Sequence, residues 1–530
     1  MSGFVRFVAV MLSLAGVRGL SAQVAYDVLI RGGTIIDGSG RQRFQGDVAI
    51  RGDRIVRVSR LSLRTSEAAR VIDATGKVVA PGFIDLHAHL EPLLQLPGAE
   101  SHVRQGVTLA LGGPDGGGPL PLAPYMDSVA ARGVGINVAW LIGHNAIRER
   151  VMGSADRAPT ADELRRMQQL VAVGMHDGAF GLSTGLRYVP GVYSTTDEVV
   201  ALARVAADSG GMYTSHLREE GRGLLDGVAE AIEIGRRARL PVVLTHHKAV
   251  GTAAWGASVK TLAMVDEARR RGIDVQIDQY PYTASSTALL VLIPPWALAN
   301  GDTAFERRVA DPVLRDSIER GIVDLVLNDR GGGDLKRVQF ATVPWMHELE
   351  GKTLFDWAVM RGMDTAPEKA APLVIDGQLK GGASMIFHVI DEADVQRIMQ
   401  HPQTMIASDG RLSRPGDGKP HPRSYGTFPR VLGHYTRDLG LLTLEQAVHK
   451  MTGMPARRLR LTNRGVLQEG AYADVVVFDP RVVADQGTYQ DPHRYPIGIE
   501  QVLVNGVAVV EHGQFTDRRP GRALRRPAAR

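Results

Sequence analysis

Histidines in this chain follow short apolar segments in a way that could build a metal centre. His87 and His89 come directly after the strand-like residues 83–86. Their two-residue spacing places both imidazoles on the same side of a strand end. Two imidazoles that close together can bind one divalent cation. A His-X-His pair is weak evidence alone, but its position after a proline–glycine entry and an apolar strand favours a metal site.

Two further histidine positions repeat this arrangement. His216 follows the strand-like residues 211–215, and His246 and His247 follow residues 242–245. Neighbouring side chains on a strand point to opposite faces, so the residue pattern leaves open which of His246 and His247 faces the site. Each histidine alone could be a packing residue. Three strand ends with histidine, in chain order, favour a common metal centre.

Two aspartates also follow apolar segments. Asp409 follows residues 405–408, and a carboxylate there could accept a proton from an attacking water and deliver it to a leaving nitrogen. Asp115 follows residues 107–111 and a Gly-Gly-Pro turn, where a carboxylate could bind a metal. The alternative for both residues is a role in a turn, which aspartate often has.

The candidate residues need a fold that brings strand ends together. Between residues 81 and 463, short apolar strands alternate with helices, which the hydrophobic spacing predicts at residues 162–177, 197–208 and 224–239. This alternation predicts an α/β fold, a (β/α)8 TIM-like barrel. Chemistry in such a barrel lies at the carboxyl-terminal ends of the strands, where each candidate residue stands.

The two ends of the chain have a different pattern. Residues 23–80 and 464–515 contain short strands with turn residues between them, so we expect one small β-sandwich domain built from both chain ends. Residues 289–343 and 411–422 fit the barrel pattern poorly. We expect an inserted small subdomain in the first of these segments and a long loop in the second.

Composition limits the classes of function. The net charge is +5, and six arginines lie in the last thirteen residues, so the rest of the chain is close to neutral and a nucleic-acid groove is not expected. We expect the basic tail, residues 516–530, to be solvated. The chain has no cysteine, which excludes disulfides, a thiol nucleophile and iron–sulfur clusters. Any metal must be held by histidine, aspartate or glutamate.

The N-terminus is typical of a secretory signal peptide. Residues 7–15 form a short, mostly apolar run, and small residues lie near a cleavage point between Ser21 and Ala25. A membrane-spanning helix needs about 20 apolar residues, so we expect no stable span in the mature protein. We predict a signal peptide over residues 1–22 and a periplasmic or secreted protein. The alternative is a disordered N-terminal extension.

Longer motifs make the sequence resemble the N-acyl-D-amino-acid deacylase (D-aminoacylase) family of the amidohydrolase superfamily. The matching stretches span nearly the whole mature chain. They are PGFIDLHAHL at 81–90, GLSTGLRYVPG at 181–191, TSHLREEG at 214–221, THHK at 245–248, DQYPYTASST at 278–287, ASDG at 407–410, HPRSYGTFPRVLGHY at 421–435 and GAYADVVVFDP at 470–480. In that family, a small inserted domain and a long loop cover the site near the two segments that fit the barrel poorly.

The resemblance implies an enzyme that uses zinc to hydrolyse the linear amide bond of small N-acyl-D-amino acids or related D-configured dipeptides. One zinc ion would bind tightly, and the site could hold a second ion. Other divalent ions are alternatives to zinc. It implies that His87 and His89 on strand 1, His216 on strand 5 and His246 on strand 6 are metal ligands. Asp409 would be the general acid/base. The resemblance also implies four contacts to the substrate carboxylate: Lys248, Tyr280, Ser286 and Arg423.

One position departs from the family pattern. Many relatives have a metal-binding cysteine in a turn that the resemblance assigns to strand 3, where this chain has Asp115. A carboxylate can bind or bridge zinc, but as a harder ligand it loosens the preference for zinc over other divalent ions.

Two other functions remain as alternatives. Cyclic-amide hydrolases of the superfamily, such as hydantoinases and dihydroorotases, usually carry a carboxylated lysine at the end of strand 4, and residues 181–185 contain no lysine. A non-catalytic scaffold would lack some of the ligands, whereas the four histidines and Asp409 are present.

Overall fold

The computed structural model describes residues 24–526, and the predicted signal peptide lies outside them. Eight parallel strands form a barrel, with Ile142–Gly143 continuing the third strand and pairing with the fourth. The eight strands are, in order, Phe83–Asp85, Val107–Gly112, Asn137–Trp140, Gly181–Gly185, Met212–His216, Val242–Leu244, Val275–Gln279 and Thr404–Ile406. The amides of Ser408 and Asp409 donate to the Asp85 carboxylate and the His87 carbonyl, which closes the barrel between its eighth and first strands.

The barrel strands are buried on both faces because helices cover them outside and side chains fill them inside. All residues of Val107–Gly112, Gly181–Gly185 and Met212–His216 are buried, as parallel strands require. The helices packed with the barrel are Glu100–Val103, Leu122–Arg132, His144–Met152, Ala161–His176, Thr196–Asp208, Leu224–Ala238, Ser258–Arg270, Glu392–Gln400, Arg423–Arg430, the π-helix Val431–Asp438, Leu444–Met451 and Gly453–Arg458. The three helices predicted from hydrophobic spacing are confirmed to within one residue at each end.

A nine-stranded sheet joins the two ends of the chain. Its strands are Tyr26–Ile35, Phe44–Arg51, Arg54–Ser59, Ala68–Asp73, Val78–Pro81, Val475–Phe478, Ile499–Val504, Val507–Glu511 and Gln514–Phe515. Val475 and Val477 pack into the core of this domain, whereas Val476 and Phe478 pack into the core of the barrel, as the two-residue period of a strand requires. Residues 465–467, at the start of the second segment predicted to contain strands, are not part of any strand.

The inserted domain is longer than the sequence predicted. Its three antiparallel strands are Ser285–Ala288, Val338–Thr342 and Ser384–Phe387, and its helices are Pro295–Leu298, Asp302–Ala310, Pro312–Asn328, Leu354–Met360 and Ala371–Leu379. These elements share a core that runs from Leu289 to Val389. The predicted end at residue 343 is therefore wrong, because Ser384–Phe387 pairs with both earlier strands.

Short elements complete the fold. Ala88–His89 pairs in parallel with Gly410–Arg411, which extends the closure of the barrel towards the site. The 3-10 helices are Thr65–Glu67, Gly191–Tyr193, Thr252–Ala254, Leu289–Leu292, Leu335–Arg337, His347–Leu349 and Pro367–Lys369. Among the helices of residues 24–526, none combines the length and apolar character that crossing a membrane requires.

The described part of the basic tail is not a solvated end, so that expectation is wrong. Gly521 donates its amide to the Val134 carbonyl, and Leu524 donates to the Val138 carbonyl. The Val138 amide in turn donates to the Arg522 carbonyl. The tail therefore pairs with free backbone groups at the start of the third barrel strand, and this pairing compensates for ordering the chain end. Residues 527–530 lie outside the described residues.

Candidate metal centre

The carboxyl-terminal ends of five barrel strands carry the metal-binding candidates. His87 follows the first strand, His216 ends the fifth, His246 follows the sixth and Asp409 follows the eighth. Asp115 follows the second strand and not the third, because the third strand is Asn137–Trp140. Strand ends around one rim of a barrel converge, which explains how residues far apart in sequence reach one site.

The candidate ligands form two groups that share Asp115. In one group the ligand atoms of His87, His89, Asp115 and Asp409 lie within 4.8 Å of one another, and in the other those of Asp115, His216 and His246 do so. Asp115 Oδ1 lies 3.4 Å from His87 Nε2 and 3.4 Å from His246 Nε2, and Asp115 Oδ2 lies 3.6 Å from His89 Nε2. The Asp115 carboxylate thus occupies the position of a bridge between two cation sites.

Buried atoms without hydrogen bonds show that these groups fit a metal. Within residues 24–526, neither His87 Nε2 nor Asp115 Oδ1 has a hydrogen-bond partner, although both are buried. Buried polar atoms are nearly always hydrogen-bonded, so two such atoms that face each other need another partner. Imidazole nitrogens and carboxylate oxygens are ligands that zinc accepts, and a divalent cation between them would satisfy both.

His246 and His247 have different surroundings. His246 Nε2 lies 2.8 Å from His216 Nδ1, beside Asp115. His247 points to the opposite side of the strand, where its Nε2 lies 2.8 Å from Thr261 Oγ1 on the helix Ser258–Arg270. The structure therefore places His246 at the candidate centre and His247 in the layer between strand and helix.

Three of the site residues adopt left-handed backbone conformations. The φ angles are 55° at Asp115, 37° at His246 and 50° at Asp409. Such a conformation in a residue other than glycine costs on the order of 1–3 kcal/mol, and it persists where the surrounding structure holds it. These turns aim the side chains into the barrel mouth and not along the strand direction.

The fourth barrel strand holds the Asp115 loop in place. The Ser183 hydroxyl donates to the Gly113 carbonyl at 2.6 Å and accepts from the Gly116 amide at 3.2 Å. It therefore binds the backbone both before and after Asp115. Gly116 has φ 76°, and a Cβ there would lie only 2.0 Å from Asn145 Oδ1. Only glycine therefore fits directly after Asp115.

Asp409 is held as an ionised carboxylate. Its Oδ1 lies 3.2 Å from His89 Nε2 and 3.4 Å from His87 Nε2, and its Oδ2 lies 2.8 Å from Arg423 Nη1. Burial by itself would raise the pKa of Asp409, but the positive charge of Arg423, helped by His87 and His246, holds that pKa well below its usual range. The carboxylate is therefore able to accept a proton at neutral pH.

The four predicted substrate contacts line the same cavity, whose volume is about 1010 Å³. The Tyr280 ring lies between two cations, with the Arg423 guanidinium 4.7 Å and the Lys248 Nζ 5.8 Å from its centre. Ser286 lies at the edge of the inserted domain, and its hydroxyl donates to the Met385 carbonyl. The structure thus brings these four residues together with His89, Asp115, His216, His246 and Asp409.

Sequence reasoning missed two charged residues in this cavity. Glu220 is buried and accepts hydrogen bonds from Lys248 Nζ at 2.5 Å and Arg330 Nη2 at 2.7 Å. Burial would raise the pKa of Glu220, but the charges of His216 and Lys248 hold it well below its usual range. Glu220 stood inside the quoted TSHLREEG motif, four residues after His216, and this spacing was the available signal. Arg330 precedes three glycines within residues 289–343, which sequence analysis assigned only to an inserted subdomain.

Comparison with known proteins identifies the family. A model described as "Amidohydrolase family" matches residues 70–510. The chain belongs to the amidohydrolase family. The resemblance predicted from the motifs is therefore confirmed, and so is the mixed α/β barrel fold.

Two curated relatives and one solved structure extend over almost the whole of this amidohydrolase. It is 39% identical to N-acyl-D-glutamate deacylase of Alcaligenes xylosoxydans xylosoxydans, over 96% of this chain and 98% of the relative. It is 38% identical to D-aminoacylase of the same organism, over 95% and 98%. The crystal structure of N-acyl-D-glutamate deacylase from Bordetella bronchiseptica, complexed with zinc and a phosphonate inhibitor, matches with a TM-score of 0.80 and 37% identity, over 94% of this chain and 99% of that chain.

Proposed function

We propose that this amidohydrolase hydrolyses the linear amide bond of N-acyl-D-amino acids, giving a carboxylic acid and a free D-amino acid, with zinc as its metal. One observation carries the proposal: a shared-carboxylate metal centre and a cluster of cations face each other across one cavity. An N-acyl amino acid has the matching pair of groups, an amide carbonyl and an α-carboxylate. The names of the relatives supply the D configuration.

The residues that would hold zinc divide into two sets. Asp115, His216 and His246 would hold one ion, and His87 and His89 with the same Asp115 carboxylate would hold a second. Bound zinc supplies Lewis acidity for the amide carbonyl and lowers the pKa of a water to about 7. Because Asp115 stands where many relatives have cysteine, this centre has only nitrogen and oxygen ligands, and other divalent ions are alternative occupants.

Asp409 carries the proton between the two halves of the reaction. Its Oδ1 faces His87 and His89, so it lies where an attacking water must approach the metal-binding residues. The ionised carboxylate accepts a proton from that water as the amide carbonyl carbon is attacked. Asp409 then donates the proton to the amide nitrogen, which leaves as the amine of the D-amino acid.

The cations of the cavity bind the α-carboxylate. Three buried cations, Lys248, Arg330 and Arg423, pair with two buried carboxylates, Glu220 and Asp409. These five side chains carry one excess positive charge, since the Asp115 carboxylate is assigned to the metal. A substrate carboxylate beside Tyr280 neutralises that charge. Arg423 can offer it two parallel N–H donors, and Lys248 acts as a point charge.

Specific residues argue against the two alternative functions, a cyclic-amide hydrolase and a non-catalytic scaffold. A cyclic-amide hydrolase usually needs a lysine at the end of the fourth barrel strand, where this chain has Ser183 and Thr184. Ser183 holds the Asp115 loop, and Thr184 Oγ1 lies 2.8 Å from the Tyr213 hydroxyl. A non-catalytic scaffold does not explain a complete ligand set with buried, unpaired atoms facing one another.

Metal analysis of the purified protein combined with paired assays tests the proposal. N-acetyl-D-amino acids, their L enantiomers and hydantoins are incubated with the same zinc-loaded preparation. We expect bound zinc and turnover of the D substrates. Turnover of hydantoins alone would favour the cyclic-amide hydrolase, and a protein with neither metal nor turnover would favour the scaffold.

Export to the periplasm or the medium is a separate proposal. It rests on the apolar residues 7–15 and the small residues before Ala25, which the structure does not describe.

A further inference from the structure

Glu220 lies behind both histidines of the more buried ligand group. His216 directs Nδ1 towards Asp115 and Nε2 towards Glu220 Oε2, at 3.9 Å and 3.4 Å. His246 directs Nε2 towards Asp115 and Nδ1 towards Glu220 Oε1, at 3.4 Å and 3.3 Å. Each imidazole thus lies between the same two carboxylates, with one ring nitrogen facing each of them.

We propose that Glu220 is the positioning residue for both His216 and His246, with one carboxylate oxygen serving each ring. A metal-binding imidazole uses one nitrogen for the metal and carries a proton on the other. A carboxylate that accepts this proton in a hydrogen bond fixes the ring orientation and makes the ligand more basic. The Glu220 carboxylate contacts both rings, so the orientation of His216 and that of His246 depend on the same side chain.

Lys248 also approaches His246 but cannot serve this purpose. Its Nζ lies 2.8 Å from His246 Nδ1 and 2.9 Å from the His246 carbonyl. An ammonium group only donates hydrogen bonds, so it offers no acceptor to a protonated Nδ1. Glu220 Oε1, which lies 3.3 Å from the same nitrogen, does offer one.

The Glu220 carboxylate is fixed independently of the histidines. Lys248 donates to Oε1 and Arg330 donates to Oε2, so each oxygen has one cation and one imidazole. Arg330 belongs to the inserted domain, whereas Lys248 follows the sixth barrel strand. Two charge-assisted hydrogen bonds from different parts of the chain hold the carboxylate rigidly, which is what a positioning residue requires.

The inference depends on the proposed function only in that His216 and His246 bind a metal. The test therefore measures metal binding and not turnover. Glu219 provides a matched control, since it is the neighbouring glutamate but is partly exposed and pairs with Arg187 at 3.2 Å. A wild-type protein that binds zinc without hydrolysing N-acyl-D-amino acids would refute the proposed function and leave the inference intact.

The experiment compares Glu220→Gln with Glu219→Gln. Circular dichroism establishes that each variant is folded, competition with a chromophoric chelator gives the zinc affinity, and the visible spectrum of the Co²⁺-loaded protein reports ligand geometry. We expect Glu220→Gln to lower zinc affinity about 10- to 100-fold and to change the Co²⁺ spectrum. We expect Glu219→Gln to match the wild type. Wild-type affinity and spectrum in folded Glu220→Gln would overturn the inference.

Two further variants cover the case in which Glu220→Gln does not fold. Glu220→Asp keeps the charge for Lys248 and Arg330 but is one methylene shorter, so it withdraws from the rings. We expect it to lose zinc affinity, and an unchanged affinity would contradict the inference. Arg330→Gln removes one of the two cations that hold the Glu220 carboxylate but leaves both imidazole contacts, and we expect it to lose less zinc affinity than Glu220→Asp. A loss equal to that of Glu220→Asp would show that charge balance, not ring positioning, determines affinity, and would also overturn the inference.

Discussion

The guanidinium of Arg423 lies 2.8 Å from the carboxylate of Asp409, on the side away from the histidines. Sequence analysis assigned Arg423 to the substrate carboxylate, whereas the structure shows it bound to the proposed general base. Its second nitrogen reaches the Ser286 carbonyl at 3.3 Å, which places the guanidinium between the metal-binding rim and the inserted domain. Arg423 therefore holds Asp409 ionised and is close enough to meet a substrate carboxylate beside Tyr280.

Asp409→Asn is expected to remove turnover and to keep the tight zinc ion. A neutral amide cannot accept the proton of the attacking water, so we expect kcat to fall about 10²- to 10⁴-fold. Asp115, His216 and His246 remain in place to bind zinc. Steady-state kinetics and metal analysis check this, with Asp417→Asn as the control because Asp417 lines the same cavity but pairs with Arg414. A near-normal rate in Asp409→Asn would exclude the general-base role.

His216→Ala and His246→Ala are each expected to lose metal and activity together. Each substitution removes one of the three ligands of the more buried group. The matched control is His247→Ala, which removes a contact to Thr261 and is expected to cost about 1–3 kcal/mol of stability while keeping the metal. The zinc content of each variant after dialysis shows whether the substituted histidine is a metal ligand. Full occupancy in both ligand variants would refute the proposed site.

Substitutions at Asp115 are expected to separate a metal bridge from a turn residue. Asparagine tolerates the left-handed backbone at this position but lacks the charge, so Asp115→Asn tests the ligand without disturbing the loop. We expect Asp115→Asn and Asp115→Ala to weaken zinc binding. Asp115→Cys is expected to supply a thiolate and raise selectivity for zinc over Mn²⁺. Titration of each variant with both metals gives the affinities, and wild-type affinity in Asp115→Ala would remove Asp115 from the centre.

Substrates with neutral side chains are expected to be preferred over acidic ones. The four cations that line the described cavity are all paired with carboxylates, and the single excess charge is used by the α-carboxylate. Glu350 adds negative charge to the outer lining. A second substrate carboxylate meets repulsion there, so we expect kcat/KM for N-acetyl-D-leucine to exceed that for N-acetyl-D-glutamate at least tenfold, on the order of 1.4 kcal/mol. A preference for N-acetyl-D-glutamate would contradict this charge argument.

Export is expected to leave a mature chain that begins between Ala22 and Asp27. N-terminal sequencing of protein from periplasmic and cytoplasmic fractions checks this. A variant that lacks residues 2–21 serves as the control and is expected to stay in the cytoplasm. Intact Met1 on the cytoplasmic protein of the full-length gene would refute the prediction.

The positions of the site residues at strand ends could be predicted from sequence because each follows a short apolar run. His87, His216 and Asp409 all lie where the alternation of strands and helices put them. Only part of the role of Glu220 could be predicted. Its four-residue spacing from His216 is visible in the sequence, but Arg330, which holds the Glu220 carboxylate, belongs to another domain and reaches it only in the folded chain. The turn around Asp115 was predicted, but the family resemblance assigned it to the third strand, which was wrong, because Val107–Gly112 is the second strand of the barrel.

Two errors have the same physical origin. The inserted domain was ended too early because Ser384–Phe387 gains its strand character by pairing with Ser285–Ala288 and Val338–Thr342. The arginine-rich terminus was expected to be solvated, but backbone groups around Val138 bind it. In both cases a distant segment supplies the hydrogen bonds, and no local spacing records that segment.

Neighbouring strands of the sheet in the small domain are synthesised at widely separated times during translation. Val78–Pro81 pairs with Val475–Phe478 on one edge, and the barrel and the inserted domain lie between these strands in sequence. The ribosome therefore releases the N-terminal strands long before Val475–Phe478 has been synthesised. During that time, one edge of Val78–Pro81 has no partner strand. An open edge is a template for pairing with another chain. We expect nascent chains stalled before residue 475 to aggregate through this edge, although their barrel strands are already complete.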